Sequence, residues 1–285
     1  MMETASAVYR RYAPPVEGEH LIEHLWVVEA PAHAEPIRQI LVPNGRPTIV
    51  VALGELGIRH DPLTGEAVPN GNTVFGITTR PYVLEQRGAS HYAGIQLQPY
   101  GLAALLPTRR LVDEFVGLET WLGRAPKDAL LRDVAAQSDP ESQAAVLGAF
   151  VMDRALPIPP ERLRTLRALV SAVDEQRGAG RIADLARRLQ ISQSSLYRLC
   201  TTDLGVGPKQ YMDVVRYYHF VGALLDSAGD DQRGLLARLH GYYDQAHATR
   251  NFRAFTGVSP TVFATTLNGI ARMMHASAAW TAMDD

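Results

Sequence analysis

One pattern is written twice in the C-terminal part of this chain, and it limits the architecture more than any other feature. The first copy runs Leu185-Ala186-Arg187-Arg188-Leu189, then Ser192-Gln193-Ser194-Ser195-Leu196-Tyr197-Arg198, then Gly205-Val206-Gly207-Pro208. The second runs Leu236-Ala237-Arg238-Leu239, then Asp244-Gln245-Ala246-His247-Ala248-Thr249-Arg250, then Gly257-Val258-Ser259-Pro260. A repeat that keeps both its apolar spacing and its Gly/Pro punctuation predicts two similar supersecondary units.

Each unit reads as a helix-turn-helix. In the first, Ile182, Leu185, Ala186 and Leu189 recur at helical spacing and give one apolar face. A break falls at Gln190-Ile191. Ser192 is placed to cap a second helix, because its hydroxyl can accept from an amide that has no partner within the helix. That helix turns Leu196 and Leu199 inward and leaves Gln193, Ser194, Tyr197 and Arg198 on its remaining surface. A short helix, a tight turn and a second helix with a polar, arginine-bearing face suit the DNA major groove. In the second unit Gly241 marks the turn, Asp244 is the cap, and Gln245, Ala246 and Arg250 hold the matching surface. Gln245 suits a two-pronged contact to adenine, whereas Ala246 offers at most a methyl contact to thymine. Readout is therefore expected to be uneven, with the first helix the richer.

These residues carry a family resemblance. Residues 182–263 resemble the two-headed DNA-binding domain of AraC/XylS-type transcription regulators. The marks are Leu185-Ala186 with Ser192, Leu196 and Arg198; Gly205-Val206-Gly207-Pro208 with Tyr211 and Arg216; and Ala237, Gly241-Tyr242, His247, Arg250, Phe252 and Gly257-Val258-Ser259-Pro260. The resemblance implies a long helix near Pro208–Leu225 joining the two heads. It also implies DNA contact through Arg198 or Arg250, double-stranded DNA and RNA polymerase as partners, and a transcription regulator in the cytoplasm, an activator or a repressor. Some positions depart from the pattern. Cys200 and Ala248 stand where a large aromatic is usual, Arg233 where an aliphatic is usual, and Tyr242 where Phe is usual, so the second unit is expected to pack or read DNA less tightly.

Charge distribution supports this division. The whole chain has 28 Lys plus Arg against 30 Asp plus Glu, a net of −2. Residues 176–267 hold 11 basic against 7 acidic residues, or +4, and the remainder 17 against 23, or −6. A basic unit on an acidic remainder is the asymmetry expected when one end meets phosphate. No apolar run is long enough to span a membrane, and Met1-Met2-Glu3-Thr4-Ala5 does not read as the start of a signal peptide. The single cysteine, Cys200, forms no internal disulfide; at a core position of a helix it reads as an inert thiol.

Upstream, the signals alternate between short strands and turns. Tyr9–Tyr12, Leu21–Val28, Ile37–Val42, Pro47–Leu53, Val74–Thr79, Tyr82–Gln86 and Tyr92–Gln98 read as strands, with a hairpin region over Gly54–Asn72. Pro43-Asn44-Gly45 is a strong turn. Together they predict a β-barrel or sandwich-like domain. Pro43-Asn44-Gly45, Gly76-Ile77 and Gly94-Ile95-Gln96-Leu97-Gln98-Pro99-Tyr100-Gly101 resemble the sensor-type domain fused to some AraC-type regulators, with Asn44 in place of the usual Asp. That resemblance implies a small-molecule effector but names no ligand-binding residue. Beyond Pro99 the period becomes helical: Leu102, Leu105 and Leu106 form a short helix, and Leu111, Phe115, Leu118 and Leu122 continue helically to Gly123. Ala125-Pro126 reads as a break, Asp139-Pro140-Glu141 as a capped helix start, Pro157-Ile158-Pro159-Pro160 as a linker. Leu163, Leu166, Val170 and Val173 form an apolar stripe, read as core within the chain, with a homodimer seam as the alternative.

The expected architecture is α+β in two domains: a β-rich sensor domain over 1–124, a helical linker over 125–178, the DNA-binding domain over 179–267 and a tail over 268–285. No cofactor and no metal site is expected. His20 and His24 would share a strand face too far apart to bind one ion, and His60-Asp61 reads as an exposed loop. The chain contains no Gly-x-Ser-x-Gly, phosphate loop or His-Glu-x-x-His. An enzyme built on the N-terminal barrel, with a small-molecule substrate, is the alternative function. A mainly apolar N-domain pocket would favour sensing, and convergent titratable groups would favour catalysis.

Overall fold

The computed structural model describes residues 7–61, 64–107, 110–226, 246, 249–250 and 252–253. Ten strands form among the described residues, with a short helix between the ninth and the tenth. A six-stranded antiparallel sheet has the order β1-β2-β9-β4-β7-β10, formed by Val8–Tyr12, Ile22–Ala30, Ser90–Leu97, Thr48–Ala52, Thr73–Phe75 and Phe115–Gly117. A four-stranded sheet has the order β3-β8-β5-β6, formed by Ile37–Leu41, Tyr82–Gln86, Gly57–His60 and Ala67–Asn70. The two sheets do not join into a closed barrel. The arrangement is the sandwich-like form of the expected β-rich domain.

The large sheet is covered on both faces, which explains why β2 and β9 are so continuously apolar. Leu25 and Val27 of β2, Ile49 and Val51 of β4, and Ala93, Ile95 and Leu97 of β9 share one core cluster with Leu130, Val134, Leu147 and Val151. Those last four come from α3 (Arg124–Ala135) and α4 (Pro140–Arg154). The alternate residues Trp26, Val28, Val50 and Tyr92 join Phe75 in a separate aromatic layer toward the small sheet. Gly94 lies within this layer. A Cβ there would stand 2.2 Å from the Trp26 ring, so only glycine lets the indole lie flat on the strand.

The helical part starts earlier than the DNA-binding repeat. α5 (Pro160–Glu175) buries Leu166, Leu169, Val170 and Val173 in a cluster with Leu185, Ala186, Leu196, Cys200, Val206, Tyr211 and Val215. Its apolar stripe therefore faces the chain's own helices: α6 (Ile182–Arg188), α7 (Gln193–Leu199) and α8 (Pro208–Asp226). The intramolecular reading of this stripe holds, and the dimer-seam alternative loses its apolar surface.

Four local expectations need correction. Phe115 does not continue a helix: Phe115–Gly117 pairs with β7 in antiparallel register, and only Leu118–Leu122 (α2) is helical. The spacing of Leu111, Phe115, Leu118 and Leu122 mimics a helix although only Leu111, Leu118 and, in part, Leu122 reach the core; Phe115 is 41% exposed. Ala125-Pro126 is no break but lies in the first turn of α3, where proline sacrifices no intrahelical bond. His60 is not in an exposed loop; it ends β5 with Nε2 3.4 Å from a Glu85 carboxylate. His20 precedes β2, so it and His24 do not share a strand. By contrast, α1 (Gly101–Leu105) and the start of α4 follow expectation. Asp139 accepts from the Ser142 amide at 2.8 Å, with Pro140 at the first helical position.

Candidate nucleic-acid interface and the domain junction

The first helix-turn-helix is built as its sequence dictates. α6 ends at Arg188, and Gln190 takes a left-handed backbone conformation, with φ at 56°, to make the turn. Ser192 then caps α7, its hydroxyl oxygen accepting from the Ser195 amide at 3.0 Å. Ser192 Oγ also lies 2.9 Å from the hydroxyls of both Ser194 and Ser195, so this helix start is held by a small hydroxyl cluster. Leu196 is fully buried, which fixes the rotation of α7 about its axis. Gln193, Ser194, Tyr197 and Arg198 then face outward, and Tyr197 is 60% exposed although it is a large ring.

Arginine pairing separates surface roles here. Arg162 makes a fork to Asp203 at 2.8 and 2.7 Å, Arg187 meets Asp184 at 3.1 Å, and Arg188 meets Glu175 at 2.5 Å. Arg216 bonds Asp213, which also receives Lys209. Arg198 is exposed and has no carboxylate partner among the described residues. Cys200, two residues on, is buried; desolvation pushes its thiol up to about 12 and keeps it protonated, in line with the inert thiol expected. In the second unit Ala246 and Arg250 are exposed and Phe252 is buried against Tyr217 and Phe220. Gln245, Gly241, Asp244, Arg233 and Ala248 lie outside the described residues.

A second cluster was not anticipated from sequence. The Pro43-Asn44-Gly45 turn delivers Arg46 to the boundary between the β-rich domain and the helices. Asn44 Oδ1 accepts from the Arg46 amide at 3.0 Å, while its amide group donates to Gln96 at 3.0 Å. Aspartate could make the first bond but not donate the second, which gives a reason for Asn at this position. Gly45 has φ at 75°, and a Cβ there would stand 3.1 Å from the Tyr211 ring. Arg46 donates from Nε to Glu23 at 2.7 Å, from Nη2 to Asp174 at 2.6 Å and from Nη1 to the Tyr211 hydroxyl at 3.2 Å. One guanidinium thus bridges β2, α5 and α8. Burial pushes the Glu23 carboxyl up, but the Arg46 charge and the hydrogen bonds from Arg46 and Gln96 outweigh it and hold it below its usual range.

His24 sits beside this cluster, 7% exposed, at a bulge where the β2–β9 register shifts between Ile22 and His24. Arg11 can only donate, so the 2.9 Å contact makes His24 Nδ1 the acceptor and leaves Nε2 to donate to the Tyr9 hydroxyl at 3.3 Å. That tautomer is neutral. Burial, with the Arg11 charge, lowers its pKa to about 4. Among the described residues no group of His, Cys, Asp and Glu is arranged to hold a metal ion.

Comparison with known proteins bears on both halves. Residues 185–266 match the family model described as a helix-turn-helix domain. Over that stretch the chain is similar to a helix-turn-helix domain, in keeping with the first unit described above. Residues 10–116 match a domain of unknown function, DUF6597. No match was found among curated proteins. Among solved structures, ToxT from Vibrio cholerae aligns over 93% of this chain and 100% of its own, at 9% identity and a TM-score of 0.48. A ToxT structure with a bound unsaturated fatty acid aligns over 95% and 99%, at 11% and 0.46. An AraC-type regulator from Chromobacterium violaceum aligns over 41% and 97%, at 18% and 0.33.

The first helix-turn-helix was legible from its apolar spacing and the Ser192 cap. The junction residues were not: Glu23, Arg46 and Asp174 are far apart in the chain, and each reads locally as an ordinary surface charge. The one available signal was Arg46 directly after a turn that fixes its direction.

Proposed function

We propose that the chain is a sequence-specific DNA-binding transcription regulator whose β-rich domain answers a small molecule. α7 enters a major-groove segment with Gln193, Ser194, Tyr197 and Arg198, and the second unit follows about one helical turn along with Gln245, Ala246 and Arg250. The observation that carries this reading is Arg198. It is exposed and has no carboxylate partner among the described residues, on a capped helix whose rotation Leu196 fixes, while Arg162, Arg187 and Arg188 are tied to carboxylates. An unpaired fork next to an exposed tyrosine suits guanine edges and phosphate. Activation through RNA polymerase and a cytoplasmic location belong to the same proposal, and any homodimer would have to use a surface other than the stripe of α5. Among the described residues no helix is long and apolar enough to cross a membrane.

One observation favours the enzyme alternative. The N-domain cavity is not mainly apolar, as a sensor pocket was expected to be, but is lined by Arg59, Asp61, Glu66, Arg80 and Asp113 among aromatics. The lining has no histidine, cysteine, serine or lysine. Both Asp113 oxygens are engaged by Thr79, from its amide and its hydroxyl, each at 2.6 Å. Its hydroxyls are those of Thr78 and Tyr82, the latter pushed up by burial, and no histidine or lysine of the lining stands ready to activate them, so binding is the better reading. Selection of genomic fragments by the purified protein tests the regulator reading: recovery of a shared sequence supports it, and recovery no different from bulk DNA overturns it.

A further inference from the structure

Arg59, in β5, is 4% exposed, yet both of its terminal nitrogens are out of solvent without a hydrogen-bond acceptor among the described residues. Aromatic rings surround it. Its guanidinium carbon lies 3.5 Å from the Phe115 ring centre, 4.7 Å from Phe75 and 5.8 Å from Tyr82. Ring faces attract the cation but accept nothing from the N–H groups at its edge, so the fork keeps unused donors in a desolvated place. Arg59 also lines a cavity of about 100 Å³, together with Phe75, Tyr82, Phe115, Arg80 and Asp113.

We propose that this cavity is the effector site and that it takes a short-chain monocarboxylate, whose two oxygens pair with the Arg59 fork. The inference rests on the regulator reading above. A planar carboxylate matches two parallel N–H donors, and the aromatic walls cover a short apolar body. The space is small, about 100 Å³ against the roughly 150 Å³ that encloses benzene, and suits a short acid better than a long one. Charge excludes a dianion. The lining already holds Asp61, Glu66 and Asp113 against Arg59 and Arg80, and Arg80 stands 3.8 Å from Asp61 and 3.9 Å from Asp113. Burial lowers the pKa of Arg59, but an arginine stays charged.

The site has a physical path to the DNA-binding domain. Asp113 and Phe115 lie one and three residues from Val112, and a Cβ on Gly205 would stand 3.4 Å from the Val112 side chain. Gly205 ends the π-helical segment Cys200–Leu204 that follows α7. Asp113 itself holds a left-handed backbone, with φ at 53°, pinned by the two bonds from Thr79. A ligand that moves Phe115 or Asp113 therefore acts on the segment against which the first helix-turn-helix rests.

The test is calorimetric titration of the full-length protein with acetate, propionate, butyrate and pentanoate, and with butyramide, for wild type and Arg59→Met. Binding of at least one acid to wild type, weakened about tenfold or more in butyramide against butyrate and abolished in Arg59→Met, is the expected result. Thermal melts distinguish a purely structural arginine. If the fork is there for a ligand, Arg59→Met melts no lower than unliganded wild type; a collapse of Arg59→Met together with no binding of any acid to wild type overturns the proposal. Equal binding to wild type and Arg59→Met also overturns it, as does a crystal structure at millimolar acid with only water on Arg59. Basal DNA binding, measured in parallel without acid, is expected to survive Arg59→Met. Its absence in wild type would sink the regulator reading while leaving the titration to judge the cavity.

Discussion

Replacing Arg46 with alanine is expected to destabilise the joined molecule by about 3 kcal/mol. The side chain is 12% exposed and holds three partners from three elements. The Nε bond to Glu23, whose side chain is 31% exposed, is a charge-assisted hydrogen bond worth about 1.5–3 kcal/mol. The pair with Asp174, 34% exposed, is partly screened and adds about 0.5–1 kcal/mol. The 3.2 Å bond that Arg46 donates to the Tyr211 hydroxyl oxygen has a neutral acceptor and is worth at most about 1 kcal/mol. At roughly 2–4 °C per kcal/mol for chains near this size, the melting temperature should fall by roughly 6–12 °C. Differential scanning calorimetry of wild type, Arg46→Ala, Asp174→Asn and the double variant measures this and also the coupling across the junction. A coupling energy near 1 kcal/mol between Arg46 and Asp174 is expected. A fall of less than about 1 °C in Arg46→Ala, or strict additivity of the two substitutions, would refute the view that this guanidinium ties the β-rich domain to α5 and α8.

Acid should weaken the fold before the carboxylates titrate. His24 and His219 are both lowered to about 4 by burial, against an ordinary value of 6.5, so the unfolded chain takes up their protons first as pH falls. Each then removes about 1.4 kcal/mol per pH unit between about 6.5 and about 4; urea midpoints that stay flat over that window would contradict this, and His24→Gln should flatten the slope by its share. Ser192→Ala removes the α7 cap and should cost about 1 kcal/mol in chemical denaturation, a loss that Ser192→Asp largely restores. Cys200 should resist a thiol-reactive dye in the native protein at pH 8 and react on unfolding; rapid native labelling would show that its burial is misjudged.

Most of the fold was legible where local chemistry and burial agree. The strands over Ile22–Ala30, Ile37–Leu41 and Tyr82–Gln86 announce themselves by β-branched and aromatic runs between turns, and the caps at Asp139 and Ser192 by single polar side chains before apolar periods. Phe115 misled because a three-residue strand is too short to show a period of two, and its neighbours Leu111, Leu118 and Leu122 fall at helical spacing by accident. Pro126 misled because proline stops a helix only in its interior. The Arg46 junction and the Arg59 cavity were invisible for a different reason. Both are made by pairing across the tertiary fold, and a lone arginine in a strand or after a turn has nothing in its neighbours that says it is buried.

The most direct test of the regulator reading is the affinity of the protein for a selected DNA fragment. It is measured by fluorescence anisotropy with non-specific competitor over a salt series, comparing wild type with Arg198→Ala and Arg250→Ala. Specific binding by wild type, lost in Arg198→Ala with the melting temperature unchanged and reduced less in Arg250→Ala, is the expected result. Equal affinity of wild type and Arg198→Ala for that fragment, or no preference of wild type for it over competitor, would contradict the assignment of α7 as the recognition helix.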